Sequence, residues 1–150
     1  MKGPLKAALL CALALVGCTS TGAGGTSQSV VEATAQNHPD CTRLTLHCMQ
    51  ADGTAKVCAS TLTARIGTAS DPEDLQAMRS GQLVVLEEGE ALDVTVPLVQ
   101  TDGRWTTVCG VTLERRGQAR DAVVARARAV ADEVKAALGG RCDDGACCRK

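Results

Sequence analysis

The chain has almost no aromatic side chains, and this limits how its core can be built. Trp105 is the single aromatic residue, and there is no Phe or Tyr. Val, Leu, Ala, Ile and Met must therefore form the core, although such a core buries less area per residue than an aromatic one. We therefore expect disulfide bonds between the cysteines to add stability.

The first 17 residues have the three-part layout of a secretory signal peptide. Lys2 and Lys6 give a positive start, and the following residues 7–16 are apolar and uncharged. This apolar run is too short to span a bilayer, which takes about 20 residues. We therefore expect the segment to direct export and then to be removed.

A cysteine motif ends this segment. The residues Leu15-Val16-Gly17-Cys18 resemble the lipobox of bacterial lipoproteins, and the resemblance covers residues 1–20. It implies cleavage before Cys18, a diacylglyceryl group on the Cys18 thiol and acylation of the new N-terminus. Two or more acyl chains are enough for stable attachment to a membrane. The alternative is an ordinary secreted protein with a chance cysteine near its cleavage site.

The residues after Cys18 indicate which membrane holds the protein and predict a flexible tether. Thr19 stands where an Asp would act as an inner-membrane retention signal, so the resemblance implies the outer membrane. Small polar residues and glycines dominate the stretch to Pro39, which predicts a flexible tether. We expect a signal peptide (1–17), a lipid-anchored tether (18–39) and one small domain with a cysteine-rich tail (40–150). No resemblance to a domain family extends past residue 20.

Charge argues against a nucleic-acid partner. The whole chain has a net charge of −1, and loss of Lys2 and Lys6 would make it −3. Nucleic-acid-binding domains need a basic surface. The charges are unevenly spread, since residues 71–93 are mainly acidic and residues 115–128 mainly basic. The two regions either face each other or are solvated, or one of them steers a charged partner.

The cysteines predict disulfides. Cys11 leaves with the signal peptide and Cys18 is the lipidation site. In the oxidising cell envelope the remaining cysteines are expected to pair. These disulfide candidates are Cys41, Cys48, Cys58, Cys109, Cys142, Cys147 and Cys148. Three bonds would leave one thiol unpaired, and spacing alone does not fix the connectivity.

The tail cysteines admit two interpretations. Adjacent Cys147 and Cys148 favour two separate disulfides that staple the tail to the sheet, with Cys41 as one candidate partner, because a bond between neighbours is strained. Alternatively, the cysteines could handle metals or thiols. The possible soft ligands are His38, Cys41, His47, Cys48, Cys142, Cys147 and Cys148. Their spacing lacks the Cys-x2-Cys pairs typical of zinc sites, so we expect no metal and no cofactor.

The first half of the domain predicts a hairpin. Arg43 to Met49 alternates as a half-buried strand does, with His47 on the polar side, and Ala55 to Ile66 predicts a second strand. A three-residue loop centred on Gly53 would place Cys48 opposite Cys58. A two-residue Asp-Gly loop would place His47 there instead, and the sequence leaves both open.

A second hairpin has a better-defined register. A two-residue turn at Asp102-Gly103 aligns the apolar residues of both strands. The expected pairs are Leu98 with Thr107, Val96 with Cys109, Val94 with Val111 and Leu92 with Leu113. Pro97 cannot donate a backbone hydrogen bond, which indicates an edge or a non-bonded position.

Two helices complete the prediction. Asp71, Pro72 and Asp74 form a helix-start signal, and Gly81 ends this short helix. A short strand is expected from Gln82 to Leu86, and a long helix from Gln118 to Leu138 with an apolar stripe. The predicted fold is α+β: an antiparallel sheet of about five strands, one short and one long helix, stapled by disulfides.

The sequence contains no motif that predicts an enzyme. There is no Gly-x-Ser-x-Gly, no His-Glu-x-x-His and no Cys-x-x-Cys. The leading hypothesis is a non-enzymatic envelope protein that binds or supports another envelope component. The competing hypothesis is a thiol- or metal-handling protein that uses the C-terminal cysteines.

Overall fold

The computed structural model of the chain describes residues 25–139. In chain order the elements are helix α1 (Ser27–Asn37), strands β1 (Cys41–Met49) and β2 (Ala55–Ser60), a 3-10 turn (Thr63–Arg65), helix α2 (Pro72–Ser80), strands β3 (Val84–Glu88), β4 (Ala91–Thr101) and β5 (Arg104–Glu114), and helix α3 (Arg120–Leu138). The strands form one antiparallel sheet in the order β2-β1-β5-β4-β3. The predicted α+β class and the strand number are confirmed. Within residues 25–139, no helix has the length and apolar character needed to cross a bilayer.

Helices cover both faces of the sheet. On one face, α1 and α3 pack over the main core, which includes Leu44, Leu46 and Val111. The predicted stripe of α3 is buried there from Val123 to Leu138. On the other face, Ala77 and Met78 of α2 pack on a smaller cluster with Ala55 and Val108. The central strands are therefore buried on both sides.

Helix α1 corrects the predicted tether. Residues 27–37 were expected to be flexible, yet they form a helix capped by the Thr26 side chain, which accepts a hydrogen bond from the Ser29 amide. Val30, Val31 and Thr34, which follows them by about one helical turn, share one face of the helix and are buried. Their burial against the sheet stabilises a segment whose composition alone does not favour a helix, as is usual for helices in proteins.

The first hairpin has the register of the two-residue loop only beyond a bulge, and neither His47 nor Cys48 lies opposite Cys58. Cys48 lies opposite Lys56 near the turn, whereas Leu46 lies opposite Ala59. Cys58 is therefore the extra residue of a β-bulge. Strand β2 also ends at Ser60, earlier than the predicted Ile66, because the chain turns away at the 3-10 turn.

The second hairpin confirms most of its predicted register. Val96 pairs with Cys109, Val94 with Val111 and Leu92 with Leu113. The fourth pair is wrong, because Thr107 lies opposite Val99 and the register shifts on both sides of that residue. Strand β3 pairs with β4 only as far as Thr95, so Pro97 needs no partner on that side. The edge position expected of this proline is thus found.

The short helix is also where the sequence predicts it. Asp71 is its N-cap, Pro72 is its first residue, and Asp71 and Asp74 form the capping box. Gly81 ends the helix in the left-handed conformation. The following strand lies two residues later than expected, at Val84–Glu88.

Candidate functional site

A groove lies between the two hairpin turns and the C-terminal half of α2. It encloses about 400 Å³. The residues that line it are Met49, Gly53, Leu75, Met78, Arg79, Gly103, Arg104 and Trp105. Four of these side chains are apolar and two are arginines. A concave, mainly apolar surface with a few charged groups is the usual form of a small-molecule site.

Trp105 forms one wall of the groove. Its indole packs directly against Gly81, where a methyl group would overlap the indole nitrogen Nε1. Gly81 therefore serves two purposes, since it also has a φ of 67°, which side chains disfavour. Trp105 lines the groove together with Met78, whereas Cys109 and Val111 of the same strand belong to the core under α1 and α3.

Arg79 and Arg104 add positive charge to the groove. Within the part of the chain that the structure describes, neither guanidinium has a carboxylate within salt-bridge distance. Arg43, Arg65 and Arg126, by contrast, contact Glu88, Asp71 and Asp40. Two guanidinium groups beside an apolar wall, without a carboxylate partner among residues 25–139, favour a ligand that has both an apolar part and an anionic group.

A buried polar cluster lies beneath α2, next to the groove. His47 Nδ1 is 3.0 Å from Ser70 Oγ and 3.2 Å from Asp74 Oδ2, and Thr95 Oγ1 donates to Asp74 Oδ1. Burial lowers the pKa of His47 to about 4, and the Arg65 charge adds to this effect. Burial likewise raises the pKa of Asp74 to about 6. His47 was expected on a polar face, as a solvated or hydrogen-bonded histidine. It is hydrogen-bonded, and it is buried because α2 covers that face.

This cluster does not have the geometry of a nucleophilic relay. In a Ser–His–Asp triad, the two partners contact different ring nitrogens of the histidine. Here Ser70 and Asp74 both approach the same atom, His47 Nδ1. The arrangement therefore links β1 to α2 and does not activate the serine.

Three acidic groups meet at the start of α2. The carboxylates of Asp71, Glu73 and Asp74 lie within 4.8 Å of one another, a spacing that could hold a cation. Asp71 and Asp74 already serve the capping box, and Arg65 contacts Asp71. The sequence predicts a helix start in this segment, and the hydrogen bonds of the capping box support that role.

The unequal charge distribution is partly explained by contacts. Glu87 Oε1 lies 3.8 Å from Arg120 Nε, and Glu87 Oε2 lies 3.9 Å from Arg115 Nη1. The acidic and basic regions thus face each other at this point. Arg43 bridges Glu88 and Asp93 in the same area, at 2.9 and 3.0 Å.

The structure pairs two of the predicted cysteines. Cys48 and Cys58 form a disulfide with Cα atoms 6.1 Å apart, and the bulge at Cys58 permits this pairing. Cys41 and Cys109 are free thiols. Burial raises the pKa of Cys41 to about 11 and raises that of Cys109 still further. Thiols with raised pKa values are poor nucleophiles and metal ligands.

The remaining predicted cysteines lie outside the described residues. These are Cys18, the lipidation candidate, and the tail cysteines Cys142, Cys147 and Cys148. The groove residues were not singled out as a site by the sequence analysis. Only the two Asp-Gly turns, which carry Gly53 and Gly103 to the same end of the sheet, gave a signal that could have indicated it.

The chain shares its fold with GAF domains. No family model and no curated protein matches it. Among solved structures, a GAF domain from an Acinetobacter phosphoenolpyruvate-protein phosphotransferase aligns with a TM-score of 0.55 at 10% identity, covering 78% of this chain and 84% of that one. A GAF domain/HD domain protein from Geobacter sulfurreducens gives 0.52 at 12% identity, covering 78% and 95%. Part of a methyl-accepting chemotaxis protein gives 0.52 at 14% identity, covering 75% and 86%. The described domain thus has a GAF-like α+β fold.

Proposed function

We propose that this chain is an exported lipoprotein, attached to a bacterial outer membrane through lipid on Cys18, whose domain is a non-enzymatic binding module. The signal-peptide layout and the lipobox Leu15-Val16-Gly17-Cys18 support the attachment. The groove at the hairpin turns supports the binding role. It combines an apolar wall with two guanidinium groups that lack carboxylate partners among the described residues.

The chemistry of the groove indicates the class of ligand. Met49, Leu75, Met78 and Trp105 offer apolar contact, while Arg79 and Arg104 offer donors for a carboxylate or phosphate. A ligand that fits has an apolar body and an acidic group. A free anionic amphiphile and an acidic segment of an envelope protein share this chemistry.

Trp105 makes the binding proposal directly measurable. It is the only tryptophan of the chain and there is no tyrosine, so ultraviolet emission reports on the groove alone. We expect decanoate, titrated below its micelle concentration, to change this emission saturably. Decyltrimethylammonium has the same alkyl chain and the opposite charge, and it should bind much more weakly.

Matched variants test the role of the arginines. Arg79→Gln together with Arg104→Gln should weaken decanoate binding about tenfold, which corresponds to 1.4 kcal/mol. Arg128→Gln removes one positive charge from the exposed side of α3, far from the groove, and should leave the affinity unchanged. Equal affinities for decanoate in all three proteins would contradict the proposal.

A single substitution tests the anchor. Cys18→Ser removes the thiol that would receive the lipid, so we expect this variant to leave the membrane fraction. The intact mass of the native protein should exceed that of the peptide from Cys18 to Lys150 by the mass of its acyl groups. Retention of the variant in the membrane fraction, or a native mass without lipid, would count against acylation.

A further inference from the structure

We infer that the loop of residues 61–66, which follows β2, touches the bilayer surface beside the lipid anchor. This inference rests on the proposed attachment at Cys18 and adds an orientation to it. Two features of the described residues support it: the position of the first turn of α1, and the exposed apolar side chains next to that turn.

The described part of the chain begins beside this loop. Gln28 lies in the first turn of α1. Its side-chain Nε2 donates to the Ser60 backbone carbonyl at 3.0 Å, and its Oε1 accepts from the Ser60 backbone N–H at 3.0 Å. The Leu62 amide then donates to Ser60 Oγ at 3.1 Å. The start of α1 and the start of the 61–66 loop are thus joined through one residue, Ser60.

Little chain separates this place from the anchor. Because α1 belongs to the domain, only the residues between Cys18 and Thr26 can act as a tether. A chain of that length spans at most about 29 Å when fully extended. The start of α1 therefore stays within about 29 Å of Cys18, and Ser60 and Leu62 lie next to that start.

The loop carries side chains suited to that surface. Leu62 is 48% exposed and Ile66 is 40% exposed. Among the described residues only one further large hydrophobic side chain is similarly exposed, Leu86, which lies at the far edge of the sheet on β3. Apolar side chains of this kind insert about 5–10 Å into the boundary between headgroups and acyl chains.

The orientation has a consequence for the groove. Strand β2 runs from the turn at Gly53 to Ser60, a length of about 17–20 Å. The groove lies at the turn end of this strand, and the 61–66 loop follows its other end. With the loop on the bilayer, the groove faces away from it.

Brominated lipids, which quench tryptophan emission at the depth of their bromine atoms, test the inference. The full lipidated chain is reconstituted in phosphatidylcholine vesicles whose acyl chains are brominated near the headgroup. Three proteins are compared: the native chain, with Trp105 at the groove, and two variants that carry Trp105→Leu together with either Leu62→Trp or Leu86→Trp. The Leu86 variant is the matched control, because its 39% exposure is close to that of Leu62.

We expect the Leu62→Trp protein to lose about half of its emission, since insertion to 5–10 Å brings the indole to the bromine atoms. The native and Leu86→Trp proteins should be quenched little. Vesicle flotation separates the two proposals. A protein that floats with the vesicles but shows equal or no quenching at position 62 overturns the inference and leaves the anchor intact. A protein that carries no lipid and does not float overturns both.

Discussion

At the scale of single residues, the contact between Gly81 and Trp105 determines the shape of the groove. A glycine at the end of α2 lets the indole lie directly on the backbone. The left-handed conformation and the close approach both exclude a side chain at this position. The position of the Trp105 wall therefore depends on the absence of a side chain at Gly81.

A pair of glycine substitutions separates the two effects. Gly139→Ala places a methyl group at a left-handed helix end with open space around it, and should cost about 1 kcal/mol. Gly81→Ala adds overlap with Trp105 and should cost about 2–4 kcal/mol. Urea unfolding measures both, and Gly81→Ala should also shift the Trp105 emission. Equal costs would show that the indole does not rest on Gly81.

His47 and Asp74 give opposite dependences of stability on pH. The pKa of His47 is about 4 in the folded chain and 6.5 in the unfolded one, so its burial costs stability as pH falls through this range. The pKa of Asp74 rises from 3.8 to about 6, so its burial costs stability as pH rises through that range. The two trends offset each other between pH 4 and pH 6.

Removing either partner should reveal the trend of the other. Relative to the native chain, Asp74→Asn should lose stability as the pH is lowered from 6.5 to 4. His47→Gln should gain stability over the same interval. Urea midpoints measured at several pH values give the change of stability with pH for each variant. The midpoints of each variant are compared with its own midpoint at neutral pH. Parallel profiles for the two variants would contradict the assigned burial of the pair.

At the scale of elements, α1 changes the domain boundary, and one side chain tests it. Gln28 bonds to both backbone groups of Ser60, whereas Gln36 on the same helix is exposed. We expect Gln28→Ala to lower the free energy of unfolding by about 1–2 kcal/mol, because two hydrogen bonds are lost. Gln36→Ala should change it little. Equal unfolding free energies for the Gln28→Ala and Gln36→Ala variants would contradict the assignment of residues 27–37 to the domain.

The disulfide between Cys48 and Cys58 joins strand β1 to strand β2. Digestion with trypsin without reduction should give one species in which residues 44–56 are linked to residues 57–65 through Cys48 and Cys58. Replacing both cysteines by alanine should lower stability by about 2–3 kcal/mol, as expected for closing a short loop. Recovery of either peptide linked to another cysteine would contradict the pairing.

The sequence predicts some elements well because their signals are local. The capping box at Asp71 and Asp74 and the Asp102-Gly103 turn both depend on neighbouring residues, and both are found. The bulge at Cys58 and the shift at Val99 were missed, because turn residues and apolar alternation do not indicate where a strand takes up an extra residue. The burial of α1 was missed for a similar reason, since its apolar positions are few and need the sheet for support.

At the scale of the whole molecule, the candidate site could not be read from the sequence. Met49, Met78 and Trp105 are far apart in the chain, and only the sheet order and the placement of α2 bring them together. Arg79 and Arg104 resemble ordinary surface charges until their lack of carboxylate partners among residues 25–139 is seen. The proposed lipobox, in contrast, depends only on the neighbouring residues Leu15-Val16-Gly17-Cys18 and on no fold.

The indole N–H signal of Trp105 in a nitrogen–proton correlation spectrum gives the most direct test of the binding proposal. The chain has one tryptophan, so this signal is single and its assignment is certain. We predict that it moves saturably as decanoate is added and stays in place with decyltrimethylammonium. A signal that stays in place at saturating decanoate, or that responds equally to both amphiphiles, would contradict an anion-selecting groove at the hairpin turns.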